Sequence, residues 1–361
     1  MTGMLTTRKA LVKQVEALDE STLCVRIEVE GEEATAYCYR SMCDVEVGDE
    51  VLVNVTARKL NLGTGGVDFI ICNLSRPEVN ISGPGHIIKL RYTPMQFAVL
   101  TEEEHNPDAL GSFDSLNGMP VVAAFLHSQI APIAAGVKSV NPNARVVYVM
   151  TEGAALPMGF SSLVRDLKGC GFVSETISCG QAFGGDREAV NLYSALAIAQ
   201  TVCKADVAIV CQGPGNVGTG TSLGFSAASV GQVINATHGL GGRSVTAVRM
   251  SQADPRERHR LISHHCLTVL ERFALAASLV SLPEMPDELM EQAHIQLQSL
   301  KLFEHHEIRH FDGKPGMTLL EQRGMRIRSM GRSFEDDPYF FLAASAAGRC
   351  AGEMLSPNFP G

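Results

Sequence analysis

The sequence lacks closely paired cysteines, a long apolar run and an excess of basic residues. Its ten cysteines are scattered singly and no C-x-x-C pair occurs, so zinc-ribbon and thioredoxin-type sites lose their usual support. No apolar run approaches the ~18 residues of a membrane span, and the first residues contain no apolar segment of the signal-peptide kind. The formal net charge of -9 argues against a general nucleic-acid binder, which usually has a basic face. We therefore expect a cytoplasmic protein with reduced thiols and no membrane contact.

The sequence does contain enough apolar material for a core, and its first part is rich in β-forming residues. Hydrophobic residues make up 45% of the chain and charged residues 19%, as in ordinary globular domains. The Gly-Asp turn in VEVGDEVLV is common in small five-stranded barrels, although any β-hairpin can contain it. We predict a small β-barrel-like domain over residues 1–82 and a connecting segment over 83–119. The strand-like segments are TLCVRIEVE, EATAYCYR and DEVLVNVTA.

From Pro120 onward, continuous apolar runs alternate with helix-like segments. This alternation is typical of βαβ units and predicts an α/β domain over residues 120–361, built on a doubly wound, mostly parallel sheet. Near the end of the chain, MRIRSM predicts a strand, and Asp337 followed by Pro338 predicts the start of a helix. The apolar runs include PVVAAFLH, ARVVYVM, FVSETIS, DVAIVCQ and RSVTAVRMS.

Polar residues follow the predicted strands directly. Ligands of open parallel sheets bind outside the carboxyl ends of the strands, near the point where the strand order reverses. His127 ends the first α/β strand and Glu152 follows the next one along the chain. Such a pair can relay protons, or hold a divalent metal together with a third ligand. Both residues are therefore candidate catalytic groups.

The glycine-rich stretch CQGPGNVGTGTSLGFS matches known motifs in part. It contains G-x-G-x-x-G, but after the fourth α/β strand rather than the first, and no acidic residue ends the next strand to hold a ribose. A phosphate-binding P-loop needs lysine where Thr221 stands. A broader anion cradle is still possible, with backbone N–H groups turned inward at the start of a helix. The alternative is a loop whose glycines only allow tight packing. The cradle residues are Gly213, Gly215, Asn216, Gly218, Thr219, Gly220 and Thr221.

The same stretch contains a G-x-S-x-G pattern centred on Ser222. With Asp254 and then His264 or His265 downstream, the chain order matches that of an α/β-hydrolase triad. The nucleophilic serine of such enzymes follows its strand immediately, whereas Ser222 comes about a loop length later. The apolar spacing from Leu223 onward predicts a helix that already contains Ser222 in its first turn. A serine hydrolase is therefore a distant alternative.

A second polar cluster lies in SQADPRERHRLISHHCLTVLERF. Asp254, Pro255 and Glu257 predict a helix start there, followed by arginines that suit a phosphate clamp or a solvated face equally well. His264 and His265 are adjacent, so on a helix they point about 100° apart and cannot both face one metal ion unless the backbone is irregular. We therefore expect no metal site. One of the two is a candidate acid–base group or anion donor, and the alternative is a purely structural histidine.

Several segments together resemble a known family. They occur in the same order over nearly the whole chain and are similar to those of an uncharacterised bacterial family known only as domain of unknown function 3866. The resemblance implies a cytoplasmic bacterial protein, and it implies no activity, cofactor or catalytic residue. The segments are GTGG, GHIIKLRYTPMQ, CQGPGNVGTGT, RMSQADPRERHRLISHH and SMGRSFEDDPYFFLAASAAG.

The leading hypothesis is an α/β protein that binds a phosphorylated or otherwise anionic small molecule on the Gly213–Thr221 loop. His127, Glu152 and one of His264 and His265 would lie nearby. The sequence leaves open whether the protein is an enzyme, which cofactor it uses and whether it forms a homo-oligomer. The main alternative is a non-catalytic scaffold or sensor whose β-domain binds a macromolecular partner.

Overall fold

The computed structural model describes residues 4–62 and 66–360. The chain forms two compact units, Met1–Leu100 and Thr101–Gly361. In the segment GTGG, residues 63–65 lie outside the described residues. The stretch expected to connect two domains, 83–119, contains a short hairpin and two short helices. None of the helices in the described parts combines the length and the apolar composition needed to cross a membrane.

The N-terminal unit is built around a closed five-stranded barrel, which confirms the predicted barrel. Alternation directs every second side chain inward, so the leucine, valines and isoleucine of β2 are buried while its Arg26 and Glu28 are exposed. The unit also contains α1 (Thr56–Lys59) and a hairpin of β6 (Ile87–Lys89) and β7 (Phe97–Val99). In barrel order the strands are β1 (Thr7–Ala17), β2 (Thr22–Val29), β3 (Glu32–Tyr39), β5 (Asp68–Asn73) and β4 (Glu50–Asn54).

The second unit contains a sheet of eight strands that all run parallel. Every residue of its central strands is buried, because helices cover both faces of such a sheet. Two short strands, β14 (Met250–Ser251) and β15 (Leu261–Ile262), form a separate antiparallel pair. In sheet order the eight strands are β11 (Arg187–Ala189), β10 (Glu175–Cys179), β9 (Val146–Thr151), β12 (Val207–Gln212), β8 (Pro120–Ala124), β13 (Arg243–Ala247), β16 (Leu279–Pro283) and β17 (Glu307–Phe311).

The connections run both ways along this sheet. From β8 the chain proceeds towards β11, and from β12 it proceeds past β8 towards β17. Because βαβ crossovers are right-handed, connections in opposite directions place their helices on opposite faces. The sheet is therefore doubly wound, as predicted, and its strand order reverses between β8 and β12. The helices are α2 (Glu102–His105), α3 (Pro107–Gly111), α4 (Ile130–Val140), α5 (Ser162–Gly169), α6 (Leu192–Thr201), α7 (Val230–Gly239), α8 (His264–Thr268), α9 (Asp287–Ser299), α10 (Lys314–Gln322) and α11 (Pro338–Glu353).

Three helices, α4, α10 and α11, cross closely at glycines. Gly136 of α4, Gly316 of α10 and Gly348 of α11 lie where an added methyl group would overlap atoms of a neighbouring helix. On Gly348, that methyl group would overlap the backbone carbonyl of Ile133. This close approach leaves α11, which begins at Pro338 as predicted, buried along most of its length.

The buried side chain of Gln129 ties the carboxyl ends of β8 and β13 together. Its Oε1 accepts hydrogen bonds from the backbone N–H groups of Phe125 (2.9 Å) and Leu126 (3.0 Å). Its Nε2 donates to the backbone carbonyls of Ala247 (3.1 Å) and Val248 (3.0 Å). These are the backbone groups that lose their partners where the strands end. One side chain thus fixes the directions in which two chain segments leave the sheet.

The prediction that a helix starts at Asp254 is wrong, because α8 begins only at His264. The carboxylate of Asp254 is already engaged by the guanidinium groups of Arg249 (2.9 Å) and Arg256 (2.8 Å). The side chain that caps α8 belongs to Ser263. The Asp254 carboxylate therefore binds arginines that lie close to it in the sequence, and it does not cap α8.

Two other local predictions also fail. Ser222 lies outside the helix that follows the glycine-rich stretch, because that helix starts with a 3-10 turn at Ser226 and continues as α7. Residues 217–226 bond to one another as a small hairpin instead, and Leu223 is 58% exposed. The segment MRIRSM, 325–330, forms no strand within the described structure. Its alternating pattern lies in an extended, partly exposed segment without a neighbouring strand ladder.

The glycine crossing predicts a sharp difference between two glycine-to-alanine substitutions. Gly348→Ala forces α4 and α11 apart and should lower the free energy of unfolding by about 2 kcal/mol or more. Gly169→Ala, in α5, adds its methyl group to open space and should be neutral or slightly stabilising through helix propensity. Urea unfolding followed by the helical circular dichroism signal measures both. Equal effects of the two substitutions would contradict the proposed packing constraint.

Candidate functional site

The point where the strand order reverses is surrounded by residues that the sequence singles out. His127 follows β8, and the glycine loop, which we define as residues 213–224, follows β12. The side chain of Asn216 in this loop donates a hydrogen bond from Nδ2 to the carbonyl of Phe125 (3.2 Å). The loop is therefore held across the end of β8, where open parallel sheets bind their ligands.

His127 is held by hydrogen bonds at both ring nitrogens. Its Nδ1 lies 3.2 Å from Oη of Tyr148, and its Nε2 lies 2.6 Å from Oγ of Ser161. The Tyr148 hydroxyl donates to the carbonyl of Cys211 (3.2 Å), so its oxygen is free to accept from Nδ1–H of His127. The Ser161 oxygen accepts from the N–H of Val164 (3.2 Å) as the cap of α5, and its hydroxyl can donate to Nε2. These partners favour the tautomer with the proton on Nδ1.

Burial lowers the pKa of His127 from 6.5 to about 4, only partly opposed by a hydrogen bond to the backbone of Gln212. The imidazole is therefore uncharged at neutral pH. Ser161 and Tyr148 were missed by the sequence analysis. Ser161 carried a recognisable signal, since a serine before a helical segment is a common cap. Nothing in the sequence places Tyr148, in the middle of β9, beneath His127.

The expected pairing of His127 with Glu152 is not formed among the described residues. Glu152 is exposed, and its carboxylate accepts from the backbone N–H of Gln181 (2.6 Å). It also lies against Gly180, where no side chain could fit without displacing it. Glu152 thus joins the ends of β9 and β10, away from the His127 hydrogen bonds.

The glycine loop folds back on itself instead of leading straight into a helix. The N–H of Thr219 donates to the carbonyl of Gly224 (2.8 Å), and the Thr219 and Thr221 hydroxyls lie 2.8 Å apart. Thr221 in turn accepts from the N–H of Gly224 (3.1 Å). Within the described residues, other N–H groups of this exposed loop have no hydrogen-bond partner: those of Gly215, Asn216, Gly218 and Gly220.

The structure brings the glycine loop into contact with His265. A side chain at Gly218 would approach Cε1 of His265 to 3.1 Å, so the absence of one lets the ring lie against the loop. Phe225, just after the loop, stacks on the His265 ring with ring centroids 4.0 Å apart and planes inclined by 7°. Two separate sequence candidates, the loop and one of the paired histidines, are therefore parts of one site.

Three imidazoles meet beside the loop, and we call His259, His264 and His265 the histidine cluster. One nitrogen of each ring lies within 4.8 Å of one nitrogen of both others. The expectation that His264 and His265 point apart is therefore wrong. Their ring centroids lie 4.1 Å apart, because rotation about the side-chain bonds brings together rings whose Cβ atoms diverge around the helix axis. His259 reaches the cluster from a 3-10 turn, where we had expected a continuous helix.

All three imidazoles of the cluster are held uncharged. Burial, together with the positive charges of Arg249 and Arg256, lowers the pKa of His259 to about 4. Burial, His264 and His259 lower the pKa of His265 to about 3. The pKa of His264 is also below its ordinary value, through burial and nearby arginines. Protonation of any one would place a positive charge in a buried, already positive environment.

Arginines surround the cluster and converge on one buried carboxylate. Asp254 is fully buried and binds Arg249 and Arg256, with Arg332 at 3.8 Å. Burial raises the pKa of the Asp254 carboxyl, but the hydrogen bonds and charges of Arg256 and Arg249 outweigh it and hold that pKa well below its usual range. Arg258 is exposed and has no ion pair within the described residues, so its charge is free to meet a ligand.

Ser222, the candidate nucleophile, is exposed and forms no hydrogen bond with a histidine in the described part of the chain. It lies at the tip of the loop hairpin, away from the strand end where a nucleophile elbow would place it. The arrangement does not support the hydrolase alternative. Elsewhere, the Nε2 atoms of His294 and His310 lie 2.9 Å apart. No third histidine joins this pair among the described residues.

Comparison with known families agrees with the resemblance seen in the sequence. A family model described as Protein of unknown function (DUF3866) matches residues 35–348. The chain belongs to this family. The match begins within β3, so it leaves out β1 and β2 of the barrel. It includes the glycine loop and the histidine cluster, and its description assigns no activity. Neither a curated protein nor a solved structure matches the chain.

The low pKa of His127 predicts how stability depends on pH. Below pH 6.5 the unfolded chain binds a proton that the folded chain excludes, so stability present above that pH is lost as the pH falls towards about 4. His127→Gln should reduce the loss between about pH 7.5 and about pH 5 by about 2 kcal/mol. Urea unfolding at the two pH values measures it. His238→Gln, at an exposed position, is the control, and an unchanged pH dependence in His127→Gln would refute the assignment.

Proposed function

We propose that the protein binds a small anion of the phosphate or carboxylate type on the glycine loop beside the histidine cluster. The observation that carries this proposal is the packing of Gly218 against His265. It sets the exposed loop, with its unpaired N–H groups, next to imidazoles and an unpaired arginine. Backbone N–H groups in a glycine-rich turn are common anion donors, since no side chain blocks the approach of the ligand.

The hydrogen bonds within the loop divide its N–H groups into two sets. Thr219, Thr221 and Gly224 use theirs to hold the hairpin together. Gly215 and Gly218 belong to the second set, which stays unpaired in the described structure. The first set keeps the loop in one conformation, and the second set supplies donors. This division is what a preformed anion site needs.

Local charge also favours an anion. The chain carries a net charge of -9, yet arginines outnumber acidic residues around the cluster. Arg258 lowers the pKa of both His264 and His265 by its charge, which places its guanidinium close to them. An anion beside Arg258 would gain a charge-assisted contact at an accessible position. The basic residues of this region are Arg249, Arg256, Arg258, Arg260 and Arg332, against Asp254, Glu257 and Asp337.

Calorimetric titration with inorganic phosphate and pyrophosphate, in the presence of EDTA, tests this proposal. We expect saturable binding that weakens as salt is added, because exposed charges are screened. Arg258→Gln should weaken it about tenfold, corresponding to about 1.4 kcal/mol for the lost charged contact. Arg323→Gln, which removes an exposed arginine directly after α10, should leave it unchanged.

Two results would refute the anion site. One is the absence of heat or thermal shift with phosphate, pyrophosphate and a broad panel of phosphorylated and carboxylate metabolites. The other is binding that Arg258→Gln and Arg323→Gln weaken equally, because that would indicate nonspecific attraction to positive charge.

We further infer that the protein works in a reducing compartment such as the cytoplasm. All ten cysteines are free thiols, and even the close pair Cys38 and Cys43, with sulfurs 3.1 Å apart, is hydrogen-bonded rather than joined. Most of the ten are buried, where they pack as small apolar side chains.

Thiol titration of the purified protein, denatured without reductant, should therefore detect ten thiols per chain. A sample reduced before denaturation is the control, and it should react to the same extent. A value of eight without reductant and ten with it would reveal a disulfide and contradict a reducing location.

A further inference from the structure

The histidine cluster has the composition of a metal site and contains no acidic residue. His259, His264 and His265 each contribute one ring nitrogen, and these three nitrogens lie within 4.8 Å of one another. Ligand nitrogens of a tetrahedral zinc site lie about 3.4 Å apart when each bond is about 2.1 Å long. Small rotations of the imidazoles therefore suffice to close the site, and half-buried His264 has the most freedom to make them.

Two nitrogens of this cluster are buried and have no partner. The Nε2 atoms of His264 and His265 are shielded from solvent without a hydrogen bond, and the His265 side chain is only 5% exposed. Buried polar atoms left unpaired are uncommon in folded proteins, because each loses the hydrogen bonds to water that it has in the unfolded chain. Two such atoms side by side, on rings that are 4.1 Å apart, indicate that something outside the chain satisfies them.

The residues around the cluster hold the rings in place, as the outer partners of metal ligands do. Ser263 Oγ lies 2.8 Å from Nδ1 of His259, so a proton on Nδ1 can be donated to it and Nε2 left with a free lone pair. The stacked ring of Phe225 fixes the plane of His265. Gly218 packs close to Cε1 of His265, where any side chain would crowd the ring. Ligands with fixed orientations bind a metal with less loss of side-chain entropy.

We propose that His259, His264 and His265 together bind a divalent transition metal, Zn²⁺ first among them. Three imidazoles suit Zn²⁺, and three protein ligands leave a fourth position for water or an exogenous anion. The arginines nearby raise the cost of adding a dication, so an anion or hydroxide at the fourth position is favoured because it offsets that charge. This site goes beyond the anion-binding function and does not depend on it.

Titration of the EDTA-treated, dialysed full-length protein with Zn²⁺ and Co²⁺, in buffer without phosphate, tests the site. We expect one Zn²⁺ per chain, in competition with a chromophoric chelator, and the visible absorption of four-coordinate Co²⁺. His264→Gln should bind Zn²⁺ more than about tenfold more weakly, since loss of an orienting partner alone costs about 10–100-fold. His310→Gln, which breaks the other histidine pair, should bind as tightly as the unmodified chain.

Two further measurements distinguish a loss of metal binding from a loss of folding and from the behaviour of the anion site. Circular dichroism should show His264→Gln folded, and X-ray absorption of the zinc-loaded unmodified protein should count three imidazole ligands. No bound metal, an unchanged affinity in His264→Gln, or a loss in His310→Gln would each overturn the proposal. Because anion titrations contain EDTA and metal titrations contain no phosphate, failure of one site is distinguishable from failure of the other.

Discussion

The arrangement of the candidate site depends on the buried amide of Gln129. Its four hydrogen bonds hold the ends of β8 and β13 at a fixed separation, and both chains leave the sheet from there. One continues into His127 and the other into Arg249, which anchors Asp254 and the turn below the histidine cluster. Without this amide, four buried backbone groups would lose their partners. The segments that carry His127 and Arg249 are thus positioned by the backbone hydrogen bonds of one buried side chain.

The charges of Asp254 and of the arginines around it determine the electrostatics of the rest of the site. Asp254 is buried, yet its carboxylate is compensated by several arginines. Burial, with the positive charge of these arginines, keeps the neighbouring imidazoles uncharged. Uncharged imidazoles and an unpaired arginine serve different ligands, the first a metal and the second an anion. The two proposed sites are electrostatically complementary, since an anion reduces the cost of a cation placed among arginines and a cation strengthens the attraction for an anion.

Predictions from the sequence were correct where the structure follows from a short pattern of residues. The barrel and the parallel sheet were predicted because alternation and continuous apolar runs report burial on one or two faces of a strand. They failed where side-chain and loop contacts overrode a local signal. Asp254 looks like a helix start, but its carboxylate binds Arg249 and Arg256. The helix predicted to contain Ser222 begins only at Ser226, because the residues before it form a hairpin. The pairing of His127 with Ser161 links residues from different βα units, which no spacing rule detects.

The sequence by itself therefore determined the fold class, the polar edge of the sheet and the main candidate residues along that edge, because each follows from sequence patterns only a few residues long. Only the tertiary structure decided which candidates meet. His259 and His265 meet although they belong to a 3-10 turn and to α8, and Gly218 of the loop hairpin lies against His265. Such contacts arise from side-chain packing and charge pairing across the fold, and these depend on distances in space that sequence separation does not encode.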